Sequence, residues 1–298
     1  MARRNKGAAV HGWLVLDKPA GRSSAWAVGA ARRLLNANKA GHAGTLDPLA
    51  TGVLPIAFGE ATKTVAFVQS GPKTYAVTVR WGEARDTDDS AGAVTATSPV
   101  RPLADEIRAV LPRFIGAIAQ VPPDYSAVKV AGRRAYVRAR AGQATALAPR
   151  QVVVERFELT AAESPQAASF VIDCGKGTYV RALVRDLAQA LGTLAHVTAL
   201  RRTRVGPFDE KSAISLDTLA DLVHSPAPVA YLHPVETALA DIPALPLTDD
   251  QAERLRSGQR VRVPKADSGP VFATAGGHPI AVANVVDGEV RAVRVFNF

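Results

Sequence analysis

Helix-period and strand-period hydrophobic patterns share this chain without taking regular turns, and that mixture limits the folds open to it. Tyr75, Val77, Val79 and Trp81 alternate with Thr74, Ala76, Thr78 and Arg80, the two-residue period of a half-buried strand. Phe170, Ile172 and Cys174 form a second such face. Val180, Leu183, Val184, Leu187 and Leu191 instead recur at helical spacing, with Thr178 placed to cap that helix and Gly192 to end it. A short buried strand is expected at 12–16 and a helix from Ser23 or Ser24 to about Asn36; residues 60–69 and 103–114 also read as helical. Strands and helices do not strictly alternate, so the pattern predicts an α+β fold over a doubly wound parallel sheet. After His233-Pro234 come a short helix at 249–257 and brief β-like runs broken by Gly, Pro and the Asp287-Gly288 turn. A chain of 298 residues then divides into 1–237 and 238–298.

The formal charge of +9 points to a phosphate-rich partner without separating RNA from DNA or anionic lipid. No apolar run approaches the roughly 18–20 residues that span a bilayer. The basic opening residues lack the apolar stretch of a secretion signal, and a cytoplasmic location is expected. With Cys174 the only cysteine, an intrachain disulfide and a cysteine zinc cluster are excluded.

Residues 41–55 hold three glycines and two prolines, too many breakers for one regular element. Pro48 disfavours helical geometry at Asp47 and pushes it towards an extended backbone. A carboxylate on such a stiffened loop reads equally as a nucleophile or as a turn aspartate. From Tyr125 through Val154 there are six basic residues (Lys129, Arg133, Arg134, Arg138, Arg140, Arg150) and no acid. A run like this is a solvated face or, with an RNA ligand, a backbone clamp. Gly59 to Thr64 lacks the glycine before lysine that a phosphate loop needs. Asp86, Asp88 and Asp89 begin like a calcium loop, but Ala91 and Thr97 occupy its sixth and twelfth positions. The acidic turn is therefore expected to be structural or to gate substrate.

The run Gly41-His42-Ala43-Gly44-Thr45-Leu46-Asp47-Pro48, with Gly52 and Leu54 following, resembles the signature loop of the bacterial tRNA pseudouridine-55 synthase (TruB) family. Lys18-Pro19-Ala20-Gly21, Lys73-Thr74-Tyr75, Lys176-Gly177-Thr178-Tyr179-Val180-Arg181 and Ala195-His196-Val197 with Leu200-Arg201-Arg202 resemble its other motifs. The likeness spans roughly residues 11–215, with a weaker match to a PUA domain after it. It departs from the usual pattern at Ser23, Ala43 and Arg85, none of them a reacting group.

The resemblance implies a mixed, mainly antiparallel sheet with flanking helices and a small C-terminal β-barrel-like domain. It implies isomerisation of uridine to pseudouridine in the T-loop of tRNA, at position 55, on a flipped-out base, with no metal and no organic cofactor. Asp47 takes the place of the nucleophile, Arg181 of its ion-pair partner and Tyr75 of the residue that stacks on uracil. Tyr179 and Leu200 would line the pocket, His42 would fill the gap left in the RNA, and Lys18 would support the loop from behind. Lys129, Arg133, Arg134, Arg138 and Arg140, with Arg201 and Arg202, are the expected backbone contacts. A stand-alone monomer acting on the T-arm without guide RNA or protein partner is expected, because the basic insertion at about 125–154 can hold RNA itself. An RNA chaperone that binds and refolds tRNA is the other reading of the same basic surface.

Overall fold

The computed structural model describes residues 7–126, 128–130, 132–143, 147–223 and 231–298. In chain order the elements are β1 (Gly12–Lys18), α1 (Ser24–Leu34), β2 (Ala40–His42), β3 (Thr51–Phe58), α2 (Val65–Ser70), β4 (Lys73–Trp81), β5 (Glu83–Arg85), β6 (Val94–Thr97) and α3 (Ala104–Val110). There follow β7 (Gly116–Gln120), β8 (Lys129–Val130), β9 (Arg133–Arg134), α4 (Ala135–Arg140), β10 (Arg150–Ser164), β11 (Ala167–Cys174), α5 (Val180–Ala190), β12 (Ala195–Val205), β13 (Phe208–Asp209) and α6 (Leu216–Val223). The chain ends with β14 (Ala244–Pro246), α7 (Asp249–Arg256), β15 (Val261–Arg262), β16 (Gly269–Ala275), β17 (His278–Val286) and β18 (Glu289–Val295).

The large sheet runs β1-β3-β12-β4-β11-β10-β7, with β2 on β3 and β13 on β12. Its pairings are antiparallel except where β12 meets β3 at Arg201–Thr51 and Arg202–Gly52. The alternation at Tyr75, Val77, Val79 and Trp81 is the buried face of β4, packed with Phe170 and Ile172 of β11 beneath Leu183, Val184 and Leu187 of α5. Strand β1 is buried on both sides: Leu14 and Leu16 face that core, whereas Trp13 and Val15 face a second one. The mixed, mainly antiparallel α+β architecture is as expected.

Several boundaries differ from expectation for local reasons. Helix α1 stops at Leu34 because Asn36 adopts a left-handed backbone, φ 45°. Its cap is Ser23, whose hydroxyl accepts from Trp26 N. The 103–114 helix is regular only to Val110; Pro112, which has no N–H to donate, sits in a tighter 3₁₀ turn. Residues 59–64 are likewise 3₁₀ before α2 begins. Thr178 does not cap α5: the residue before the helix is Tyr179, and no side chain caps it.

The C-terminal strands curl as a separate sheet in the order β14-β16-β17-β18-β15, and Asp287-Gly288 turns β17 into β18 with both residues at positive φ. Phe272, Val282 and Phe296 of this region nevertheless share one apolar cluster with Trp13, Phe208, Val235 and Leu239. Lys63 Nζ donates to Val295 O and to Glu60 Oε2, and Asn297 N donates to the same Glu60 oxygen. The small sheet is thus seated on the large one by core as well as by polar contacts.

Candidate active site

The loop between β2 and β3 is stapled on both sides. Ser24, buried at the start of α1, accepts from Leu46 N (2.8 Å) and donates to Leu46 O (2.9 Å). Gly21 N donates to Pro48 O, and the buried Lys18 Nζ donates to Pro19 O, Arg22 O and Pro48 O. Burial pushes the Lys18 ammonium down to about 8, against the pull of Asp47. The loop re-enters the sheet through Gly52, φ 95°, where a Cβ would lie 2.3 Å from Arg202 O; only glycine allows β3 and β12 to approach so closely. Asp47 is held at the turn of this loop with its carboxylate 35% exposed.

Arg181, one residue into α5, meets that carboxylate with Nε 2.9 Å from Asp47 Oδ2. Its side chain is only 3% exposed, and its other nitrogens donate to Thr87 O (2.6 Å) and Tyr125 O (2.9 Å). A second carboxylate, Asp89 Oδ2, lies 3.7 Å from Nε. Asp89 is fixed by Thr87 Oγ1 and Ala91 N, and its turn is tied to β12 through Ser90 N to Val197 O and Val197 N to Asp88 O. The acidic turn therefore holds the arginine that faces Asp47. One helical turn on, Arg185 donates to Asp88, Asp186 and Val121 O. Burial raises the Asp88 carboxyl to about 6.

Asp47 and Arg181 line a cavity of about 310 Å³ with Tyr75, Tyr179, Leu200, Lys73, Thr178 and Arg202. Tyr75 is 7% exposed, and burial raises its hydroxyl above the usual phenol range, so it is protonated at neutral pH. Gln120, buried at the end of β7, accepts from Tyr179 N and donates to Tyr179 O, fixing the entry to α5. Nothing in the local pattern marks Gln120 for this task. A second cavity, about 690 Å³, shares Asp47, Thr45, Leu46, Ser126 and Arg181 with the first. His42 lines the second one, together with Ser23, Ser24, Tyr125 and Tyr136. Burial, then the charge of Arg202, hold the His42 imidazole below its usual range, so it is neutral at pH 7.

Arg202 is not placed to meet a phosphate, contrary to expectation. It is 1% exposed, and its guanidinium donates to Val53 O and Gly44 O, bracing the Asp47 loop from beneath. Arg201 is partly exposed but engaged by Asp17 and Glu210, so much of its charge is spent within the protein. Of the basic run, Arg138 is half-buried, whereas the side chains of Lys129, Arg133, Arg134 and Arg140 lie outside the described part of the structure. Among the described residues no group of three His, Cys, Asp or Glu side chains could hold a metal ion, and no helix is long and apolar enough to cross a membrane.

Residues 32–180 match the TruB family pseudouridylate synthase N-terminal domain, and 181–240 match the tRNA pseudouridylate synthase B C-terminal domain. A protein of Rhodospirillum rubrum called tRNA pseudouridine synthase B is 52% identical, with all of both chains covered. A namesake from Bradyrhizobium diazoefficiens is 54% identical over 97% of this chain and 86% of its own, and one from Dinoroseobacter shibae 52% over 99% and 98%. Among solved structures, a chain of an H/ACA RNP bound to a substrate RNA containing 2'-deoxyuridine superposes with a TM-score of 0.75. Its identity is 25%, covering 96% of this chain and 85% of that one; a chain of a Cbf5-Nop10-Gar1 complex gives 0.75 and 27%, over 96% and 84%. With both halves of its large domain matched and relatives aligned end to end, this chain belongs to the TruB family of pseudouridylate synthases.

Proposed function

We propose that this enzyme isomerises uridine to pseudouridine in tRNA, at position 55 of the T-loop, with Asp47 as its nucleophile. The observation that carries the reading is the Asp47–Arg181 pair at the meeting of two cavities. A buried guanidinium with all three nitrogens engaged presents the carboxylate in one orientation, so little reorganisation is needed when it attacks. The target, sugar carbon or uracil ring, requires the same ionised carboxylate. The bond from the sugar to the ring nitrogen breaks and one to ring carbon forms; that carbon loses its proton and the freed nitrogen gains one, so composition is unchanged.

A uridine within a folded T-loop has to leave its stack to reach Asp47. The smaller cavity, walled by Tyr75, Tyr179 and Leu200, suits a flat base, and the Tyr75 ring is the stacking surface in this reading. Any proton it moves starts on its hydroxyl, since burial keeps that group protonated. His42, neutral and facing the larger cavity, is the group that takes up the space the base vacates. Lys18 supports the loop and does not react. The basic run with Lys129, Arg133, Arg134, Arg138 and Arg140 serves as the phosphate clamp, and the 238–298 region as the PUA-like RNA-binding domain.

The enzyme works in the cytoplasm as a monomer and without guide RNA or protein partner. The test is to incubate the pure protein with unmodified tRNA and nothing else, then map pseudouridine. Modification confined to position 55 is expected. Activity that appears only with an added guide RNA would overturn the stand-alone reading, and none on any RNA would overturn the whole.

A further inference from the structure

The three tryptophans of the chain sit in very different surroundings: Trp13 and Trp81 are 0% and 1% exposed, whereas Trp26 is 39% exposed on the first turn of α1. The Arg22 guanidinium carbon stands 4.8 Å from the centre of its indole ring. Among the described residues Arg22 forms no salt bridge. An exposed aromatic ring with an uncompensated guanidinium on it is the pair of surfaces on which unpaired nucleobases stack.

Its position relative to the active site is fixed by bonds described above. Arg22 O is held by Lys18 Nζ, Ser23 Oγ accepts from Trp26 N, and Ser24 Oγ makes two bonds to Leu46, next to Asp47. Ser23, Ser24 and Ala25 form one wall of the larger cavity that also holds Asp47 and His42. Arg22 and Trp26 flank those three wall residues in the chain, on the same hydrogen-bonded turn that supports the nucleophile loop.

We propose that Arg22 and Trp26 form a stacking platform for a second unpaired nucleobase of the RNA whose uridine enters at Asp47. The proposal rests on the functional reading above. The guanidinium supplies charge to the adjoining backbone phosphate, and the indole supplies the flat face.

Tryptophan emission reads this directly, because the other two indoles are buried. Adding an unmodified T-arm stem–loop RNA should protect the protein's emission from acrylamide quenching, and Trp26→Phe should abolish that change. Trp26→Leu should weaken RNA binding roughly 5- to 150-fold, the range expected for loss of one stacked base, with Trp26→Tyr recovering most of it. Thermal melting of each variant controls for folding. If the unsubstituted protein binds the hairpin and makes pseudouridine while quenching is unaltered and Trp26→Leu binds as tightly, the platform is refuted and the functional reading stands. If it neither binds nor modifies the hairpin, the functional reading falls and takes the platform with it.

Discussion

Arg181 Nε lies 2.9 Å from Asp47 Oδ2 and 3.7 Å from Asp89 Oδ2, so one guanidinium, 3% exposed, faces two carboxylates from separate loops. Arg181→Met would leave Asp89, 8% exposed, without that cation and strand two carbonyls. Removing one member of a buried charged set costs about 3 kcal/mol or somewhat more. Arg181→Lys keeps the charge but cannot reach Thr87 O, Tyr125 O and Asp47 together, so an intermediate loss is expected. Urea unfolding of the three proteins gives the order wild type, Lys, Met; both variants should also lose roughly 100-fold or more in turnover. Met and wild type unfolding at the same urea concentration would mean the pair carries no structural weight.

Stacking and proton transfer at Tyr75 separate by substitution. Tyr75→Phe keeps the ring and drops the hydroxyl, whereas Tyr75→Leu removes a face worth about 1–3 kcal/mol per stacked base. Normal RNA affinity with poor single-turnover rates in Phe assigns the hydroxyl to proton transfer. Near-normal rates in Phe with failure in Leu assign the ring to stacking alone. Equal, full activity in both would remove Tyr75 from the site.

The acidic turn makes stability depend on pH. Asp88 faces Arg185, Arg181 and Asp186, and burial raises its carboxyl from 3.8 to about 6. Between those values the folded protein binds more protons than the unfolded chain, so this group's contribution to stability falls as pH rises from about 4 to about 6. Asp88→Asn should abolish that contribution. The difference in unfolding free energy between variant and wild type should therefore shift in the variant's favour across that window and level off above it. A difference independent of pH would show that Asp88 titrates normally.

Much of this site is legible in the residues because its motifs are local. The alternation around Tyr75 places that ring on a buried strand face, and the helical spacing after Val180 puts Arg181 in a first turn. Both depend on side-chain period alone. What pattern does not reveal is pairing across the chain. Asp89 looks like part of a surface acidic turn until β12 draws it against Arg181, and Arg202 looks like a surface cation until the β3–β12 approach buries it. Thr178 has the composition of a cap, but Gln120 on a distant strand fixes the helix entry at Tyr179 instead.

The same limit applies to the C-terminal region. Composition alone suggests that cutting after about residue 240 leaves an intact catalytic unit. Phe272, Val282 and Phe296, however, belong to the cluster that buries Trp13, Phe208, Val235 and Leu239. Truncation should therefore expose this cluster and lower the melting temperature. Phe296→Ala in the full chain should cost about 3–5 kcal/mol, measured by urea unfolding. A truncated protein as stable as the full chain would show that the two sheets fold independently.

Asp47→Asn tests whether Asp47 performs the chemistry, with almost no change of shape. Arg181 keeps Thr87 O, Tyr125 O and the nearby Asp89 in this variant, so melting should change little. The basic run is untouched, so tRNA should bind with comparable affinity. Mapping of pseudouridine after prolonged incubation of the folded variant with unmodified tRNA should find none above background. Pseudouridine formed by folded Asp47→Asn at a rate near that of the unsubstituted enzyme would contradict the account.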